Sequence, residues 1–144
     1  HFHEAGEGIR AYKVGGTHRH TPEMEEQLSA LADRSVRLSF TPHLVPMSRG
    51  ILSCVYATPT APDMDEAALR AVYQRFYAGE DFVSVLPAGA LPDTAFVRGS
   101  NRVHVAVVKD ERVGRILAMA AIDNLCKGSS GQAIQNAKTA AAAE

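Results

Sequence analysis

Residues Arg102–Ile122 read RVHVAVVKDERVGRILAMAAI, and this stretch decides the fold class. Its first part, Arg102–Val108, reads as a strand. Lys109–Arg112 (KDER) is a charged turn. Val113–Ile122 is largely apolar, which suits a buried strand or a buried helix, and periodicity alone does not separate the two. The short charged turn favours a strand, folded back as an antiparallel hairpin.

Upstream, Ile51–Ala57 (ILSCVYA) is a second apolar strand, and Phe82–Leu86 and Ala95–Arg98 are shorter ones. Asp63 and Glu66 form an acidic capping-box pattern. Leu69, Val72, Tyr73, Phe76 and Tyr77 follow at helical spacing, and Gly79 supplies the stop. Nearer the start, Ile9–Val14 is a short strand ended by Gly15-Gly16. Thr17–Thr21 is a polar loop in which Thr21 is the natural N-cap of a helix opened by Pro22. Met24, Leu28, Leu31 and Ala32 give that helix one apolar face. Val36, Leu38 and Phe40 alternate as a half-buried strand, and Thr41–Gly50 is an extended loop or edge strand. After the hairpin, Asp123 caps a short helix, a Gly/Ser loop follows, and a terminal helix starts near Gln132.

Strands outnumber helices. The expectation is an α+β domain with one mostly antiparallel or mixed sheet and two longer helices on one face. The domain is expected to span 1–137, with an Ala-rich, frayed tail at 138–144. An uncovered apolar sheet face calls for another subunit or domain.

The composition narrows the function. The chain has 144 residues, 46% of them hydrophobic, which is enough for a real core and excludes a disordered scaffold. The net charge of −1 supplies no general drive toward nucleic acid or anionic membrane. No apolar run is long enough for a helical membrane span, and no secretory leader pattern is present. Cys54 and Cys126 lie far apart, so a reducing, cytoplasmic setting is expected and both thiols read as packing residues. The chain begins with His1, which fits a processed product or a fragment.

The densest chemical cluster is His18-Arg19-His20-Thr21-Pro22-Glu23. It places two imidazoles and a guanidinium at a helix N-terminus, which favours anions. An imidazole there suits acid/base work; a solvated polar loop is the other reading. His18-x-His20, with His1, His3 and His43, also has the makings of a zinc site, although no cysteine stands at ligand spacing. Arg49 suits a bidentate clamp on a carboxylate or phosphate, or else is a surface arginine. Lys127–Gln132 (KGSSGQ) lets a ligand approach the backbone, but it is neither a P-loop nor a dinucleotide fingerprint.

Four segments together carry a resemblance: AYKVGGTHRHTPEMEEQL (11–28), FTPHLVPMSRGILSCVYA (40–57), GSNRVHVAVV (99–108) and AAIDNLCKGSSGQAIQN (120–136). From about His1 to Asn136 the chain resembles the second domain of the N-acetyl-gamma-glutamyl-phosphate reductases. The resemblance implies a fold like the catalytic domain of aspartate-semialdehyde and glyceraldehyde-phosphate dehydrogenases. It also implies NADPH-dependent reduction of N-acetyl-glutamyl 5-phosphate to the semialdehyde and phosphate, in arginine biosynthesis. In that family a cysteine attacks the acyl phosphate, and the thioester formed takes hydride. The motif maps the acid/base role onto His18 and substrate contact onto His20, with Arg49 as a further substrate-anion ligand. Asp123-Asn124 matches the pair that approaches the nicotinamide, so Asn124 is the cofactor candidate and Gly128 a second one.

The family's Gly-rich dinucleotide fingerprint and its nucleophile belong to an N-terminal Rossmann domain. Neither Cys54 nor Cys126 maps to that nucleophile. The chain is therefore expected to be the catalytic and dimerisation domain, oligomeric, with NADP(H) bound mainly by the other domain, and inactive alone. The competing expectation is a non-catalytic oligomerisation module of the same fold.

Overall fold

The computed structural model describes residues 6–142, which fall into two compact units divided between Ser48 and Arg49.

The first unit is built on a small ladder. Strand β1 (Arg10–Ala11) pairs antiparallel with β2 (His43–Leu44), with Ala11 opposite His43. The expected strand Ile9–Val14 is cut to two residues because Lys13, Gly15 and Gly16 all take positive φ and turn the chain away. Helix α1 (Thr21–Ala32) carries Pro22 in its first turn, as expected. Its cap is His20, not Thr21: the His20 carbonyl accepts the first helical N–H, from Met24 at 2.9 Å. Thr21 is thereby drawn inside the helix, where its hydroxyl is buried without a partner.

The apolar stripe of α1 is not core, since Leu31 is 81% exposed. Val36, Leu38 and Phe40 are half-buried in alternation, but they form no strand. The backbone N–H of Val36 donates to Ser29 Oγ at 2.9 Å, and that of Leu38 to Glu25 Oε1 at 3.2 Å. Side chains of α1 have taken the donors that a sheet ladder would need.

The second unit holds a four-stranded sheet, with β3 (Ile51–Ala57), β4 (Val83–Val85), β5 (Val103–Asp110) and β6 (Arg115–Ile122) in the order β3-β6-β5-β4. The hairpin is as expected, with Val107 opposite Ala118. Its turn comes two residues later than the charge pattern implied. Lys109 and Asp110 still pair, and Gly114 at φ +62° makes the reversal. Strand β3 joins β6 antiparallel along its whole length, while β4 runs parallel to β5 and makes the sheet mixed.

Helix α2 (Glu66–Phe76) packs on β5 and β4. Its cap is Asp65, whose carboxylate accepts Ala68 N–H at 2.7 Å, so the Asp63–Glu66 capping box does not form. Glu66 instead bonds Arg70 and the Lys109 amide. Gly79, at φ +88°, ends the turn beyond the helix.

Ala95–Arg98 is not a strand. Residues Thr94–Val97 form the short helix α3, because Asp93 accepts Ala95 N–H at 2.8 Å and starts a helical turn. Nor is there a Gly/Ser loop after Asp123. Residues Cys126–Ser130 form a π-helical turn that runs directly into α4 (Gly131–Ala141). That helix continues through 138–141; the last two residues lie outside the described ones. Val105, Ala106 and Val107 of β5, Ala121, Leu69 and Val97 form the core, whereas every residue of β3 is exposed. The α+β, mixed-sheet expectation therefore stands.

Candidate functional site

The end of β6 delivers Asp123 into the interior of the second unit, where it is 0% exposed. A buried carboxylate is costly unless it is paired and hydrogen-bonded. Arg49, just before β3, answers that need: Nη2 donates to Oδ1 at 2.9 Å, and Nε lies 2.7 Å from Oδ2. The Gly99 amide donates to Oδ2 at 2.6 Å. The amides of Leu125 and Cys126 donate to Oδ1 at 2.9 and 3.1 Å; Asp123 is not the helix cap expected of it, because the turn that follows starts two residues later, with Leu125 at its N-cap. Burial pushes this carboxyl up, but the guanidinium and the three amides outweigh it and hold it well below the ordinary range.

Asn124 and Gly128 belong to the same cluster. Asn124 Oδ1 accepts the Gly50 amide at 2.6 Å, and the Gly128 amide donates to the Asp123 carbonyl at 3.0 Å. Arg49 Nη2 also donates to Cys126 Sγ at 3.3 Å. Arg49 is thus tied to the protein through Nε and Nη2. Asp123 as a hub is the residue that sequence reasoning undervalued. Its signal was an acid ending an apolar strand, which must find a cation.

Gly131, also overlooked, fits more tightly than Gly128. A Cβ there would lie 2.3 Å from Asn101 Oδ1 and 2.9 Å from the Cys126 carbonyl, while one on Gly128 would meet nothing nearer than 3.5 Å. Gly131→Ala is expected to lower unfolding stability by about 1–3 kcal/mol, and Gly128→Ala to change it by less than about 0.5 kcal/mol. Urea titration of the two variants checks this, and equal midpoints would contradict the packing described. A cleft of about 410 Å³ opens beside α4, lined by Phe82, Asn101, Ile134, Gln135 and Lys138; none of the expected site residues lines it.

In the first unit, His18 and His20 lie together at the mouth of α1, ring centroids 5.0 Å apart. His18 is half-buried, with Tyr12 and Phe40 edge-on at 5.7 and 5.1 Å. The His20 amide donates to His18 Nδ1 at 3.2 Å, which puts the proton of the neutral ring on Nε2. Desolvation, then the charges of His20, Arg19 and Lys13, push the His18 imidazole below its ordinary value, so it is neutral at pH 7. His43 Nδ1 is 3.1 Å from the Thr41 carbonyl. Among the described residues no group of three or more His, Cys, Asp or Glu could hold a metal ion; His1 and His3 lie outside them. No helix among the described residues is long and apolar enough to cross a membrane.

Comparison with known proteins adds lineage to this geometry. The model of the semialdehyde dehydrogenase dimerisation domain matches residues 1–124. The chain is 60% identical over 133 residues to an N-acetyl-gamma-glutamyl-phosphate reductase of Pelobacter propionicus, covering 92% of this chain and 38% of that protein. It is 57% identical over the same length, with the same coverage, to the reductase of that name from Geobacter sulfurreducens. The chain therefore spans well under half the length of these relatives. Among solved structures, aspartate semialdehyde dehydrogenase II from Vibrio cholerae superposes with a TM-score of 0.66 at 20% identity, over 83% of this chain and 36% of that one. The Francisella tularensis aspartate semialdehyde dehydrogenase gives 0.65 at 10% identity, over 87% and 37%. These two likenesses establish the fold alone.

Proposed function

The chain belongs to the semialdehyde dehydrogenase dimerisation-domain family, and from that premise we propose that it is the catalytic and dimerisation half of an N-acetyl-gamma-glutamyl-phosphate reductase. The observation that carries this reading is 60% identity sustained over 92% of the chain. In this reading a nucleotide-binding domain outside this sequence holds most of the NADP(H) and supplies the cysteine nucleophile, in the cytoplasm. The substrate is N-acetyl-glutamyl 5-phosphate.

His18, His20 and Arg49 are the substrate-side residues. His18 is neutral with its proton on Nε2, so it is set to donate to an oxygen on which negative charge develops. Taking a proton at Nε2 instead would require the Nδ1–H tautomer and would break the bond from the His20 amide. His20, on the solvent side of the same ring pair, is the substrate contact. Arg49 meets the substrate anion through what its Asp123 pairing leaves available.

The residues assigned to the cofactor fit a nicotinamide. Asn124 keeps its Nδ2 donors after Gly50 has taken its oxygen, and Gly128 offers backbone with no side chain in the way. NADPH, when bound, supplies the hydride; this chain's part is to orient it.

The test is a chimera: the Pelobacter reductase with its matching 133 residues replaced by this chain. NADPH oxidation with the acyl phosphate is expected from the chimera and not from the isolated chain. An inactive but folded chimera would sink the reading. A robust rate from the isolated chain with Cys54→Ala and Cys126→Ala together would show the nucleophile misplaced.

Self-association is the second activity, favoured by β3. This strand is an apolar sheet edge, with Leu52, Val55 and Tyr56 between 53% and 64% exposed. Leu52→Glu with Tyr56→Glu is expected to convert a dimer to monomer in sedimentation velocity. An unchanged assembly would move the interface elsewhere.

A further inference from the structure

An imidazole on an open loop is free to rotate and takes up a proton as readily as in a peptide. The surroundings of His18 oppose both. The Phe40 ring lies 5.1 Å from it, with 85° between the planes, and the Tyr12 ring 5.7 Å from it at 68°. These rings take the place of water against a half-buried imidazole. Loss of hydration is the chief cause that holds His18 neutral, because burial disfavours the charged form.

The two rings are themselves anchored. Phe40 stands two residues from each of two fixed points. On one side, the Leu38 amide donates to Glu25 Oε1 of α1 at 3.2 Å. On the other, the Pro42 carbonyl accepts the Tyr12 amide at 3.1 Å, and His43 and Leu44 pair with β1. The same bond ties the Tyr12 backbone to the segment that carries Phe40. The charged groups facing His18 are Lys13, beside Tyr12, and Arg19 and His20, at the entry to α1; each disfavours the imidazolium. Arg37, on the Phe40 segment, is turned to Glu25. The two aromatic rings therefore act on His18 by excluding water, not by charge.

We propose that Phe40 and Tyr12 are positioning residues for the proton-donating step: their rings wall the His18 imidazole from water and, with the His20 amide at Nδ1, hold its proton on Nε2. This rests on the reading of His18 as the acid of the reaction. It places the acid limit of that reaction in two side chains that need not touch the substrate.

The test follows NADPH oxidation by the chimera against pH, and the His18 ring by NMR of the chimera with labelled histidine. Phe40→Ala is expected to lower kcat roughly tenfold to a hundredfold, the cost of a slightly misplaced group, with KM within about twofold. The acid-side midpoint of kcat and of the His18 titration is expected to rise toward the ordinary 6.5. Phe40→Leu, which keeps apolar cover, should restore most of both. Tyr12→Phe should change neither, because the ring acts and not the hydroxyl. In the His18→Asn background, Phe40→Ala should add nothing.

A kcat loss with an unmoved midpoint, or one repeated in full without His18, would mean that Phe40 only supports the fold, and would overturn the proposal. So would a falling midpoint, since the ring would then stabilise the imidazolium as an aromatic face does other cations. A large loss in Tyr12→Phe would put the hydroxyl in the chemistry and overturn the assignment of Tyr12. If Phe40→Ala does not fold, Tyr12→Ala, which removes the more exposed ring, is read in the same way. If His18→Asn leaves kcat unchanged, the acid reading falls and the proposal with it. A crippled His18→Asn beside an unmoved Phe40→Ala midpoint overturns the proposal alone.

Discussion

His18→Asn is expected to lower kcat of the chimera by about 10²–10⁴, the range for losing a positioned acid or base. The substitution is chosen to spare the loop. An asparagine oxygen can still accept the His20 amide that now bonds Nδ1, so the entry to α1 keeps its shape. What disappears is the Nε2–H. KM should change far less than kcat, because the lost interaction strengthens as charge develops on the substrate oxygen. The pH profile adds a second check. Desolvation and the neighbouring His20, Arg19 and Lys13 charges lower the His18 pKa, so the neutral form persists below the ordinary value near 6.5. Protonation puts a hydrogen on Nδ1 and breaks the bond from the His20 amide, so activity that depends on this arrangement should fall in acid with a midpoint below that value. A rise toward acid would mean that the imidazolium is the working form. A kcat change under a few-fold would favour the non-catalytic oligomerisation module.

Asp123→Ala is expected to cost about 3–5 kcal/mol of unfolding stability, the toll for removing one partner of a buried ion pair. Arg49 would keep its charge without its counterion, and the amides of Gly99, Leu125 and Cys126 would lose their acceptor. Against the roughly 5–15 kcal/mol that holds most domains together, this brings the chain close to unfolding at ordinary temperature. The pH dependence has a definite sign. The folded carboxyl titrates well below its unfolded value near 3.9, so its stabilisation is complete above that value and is lost as pH falls below it. Urea midpoints of wild type and variant should therefore differ by a constant margin from about pH 7 to 5, and the margin should narrow progressively below about pH 4 without closing in moderate acid. A margin unchanged in acid would show that the carboxylate's charge is not the source.

Both predictions concern residues whose importance was only partly legible beforehand. His18 was identifiable because its signals are local: two imidazoles, a proline and acids within one turn of a helix start. Its tautomer was not, because that depends on the one backbone amide that turns toward Nδ1. Arg49 was read as a substrate clamp because a guanidinium in a Pro-bounded loop looks free; its partner lies 74 positions along the chain. Asp123 was read as a helix cap, but the cap falls at Leu125, and the carboxylate instead gathers a distant cation and three amides with both of its oxygens.

The same division runs through the fold. Strand Ile51–Ala57, the pairing of β5 with β6 as a hairpin and the body of α2 followed from sequence, since apolar pattern, turn residues and a stop glycine act over a few positions; the place of the hairpin turn did not, because Lys109 and Asp110 stay in the ladder. Ala95–Arg98 and Val36–Phe40 did not. In the first, the Asp93 carboxylate started a helical turn; in the second, Ser29 and Glu25 captured the donors of a strand. By itself the sequence determined the types of the longer elements, the α+β class and the family, because periodicity and runs of identity are properties of neighbours along the chain. Only the tertiary structure decided where Asp123 finds its cation, which backbone amide the Asn124 oxygen meets and which glycine has no room for a methyl group. Buried charge and close packing are settled by groups far apart in sequence that must satisfy one another once water has left.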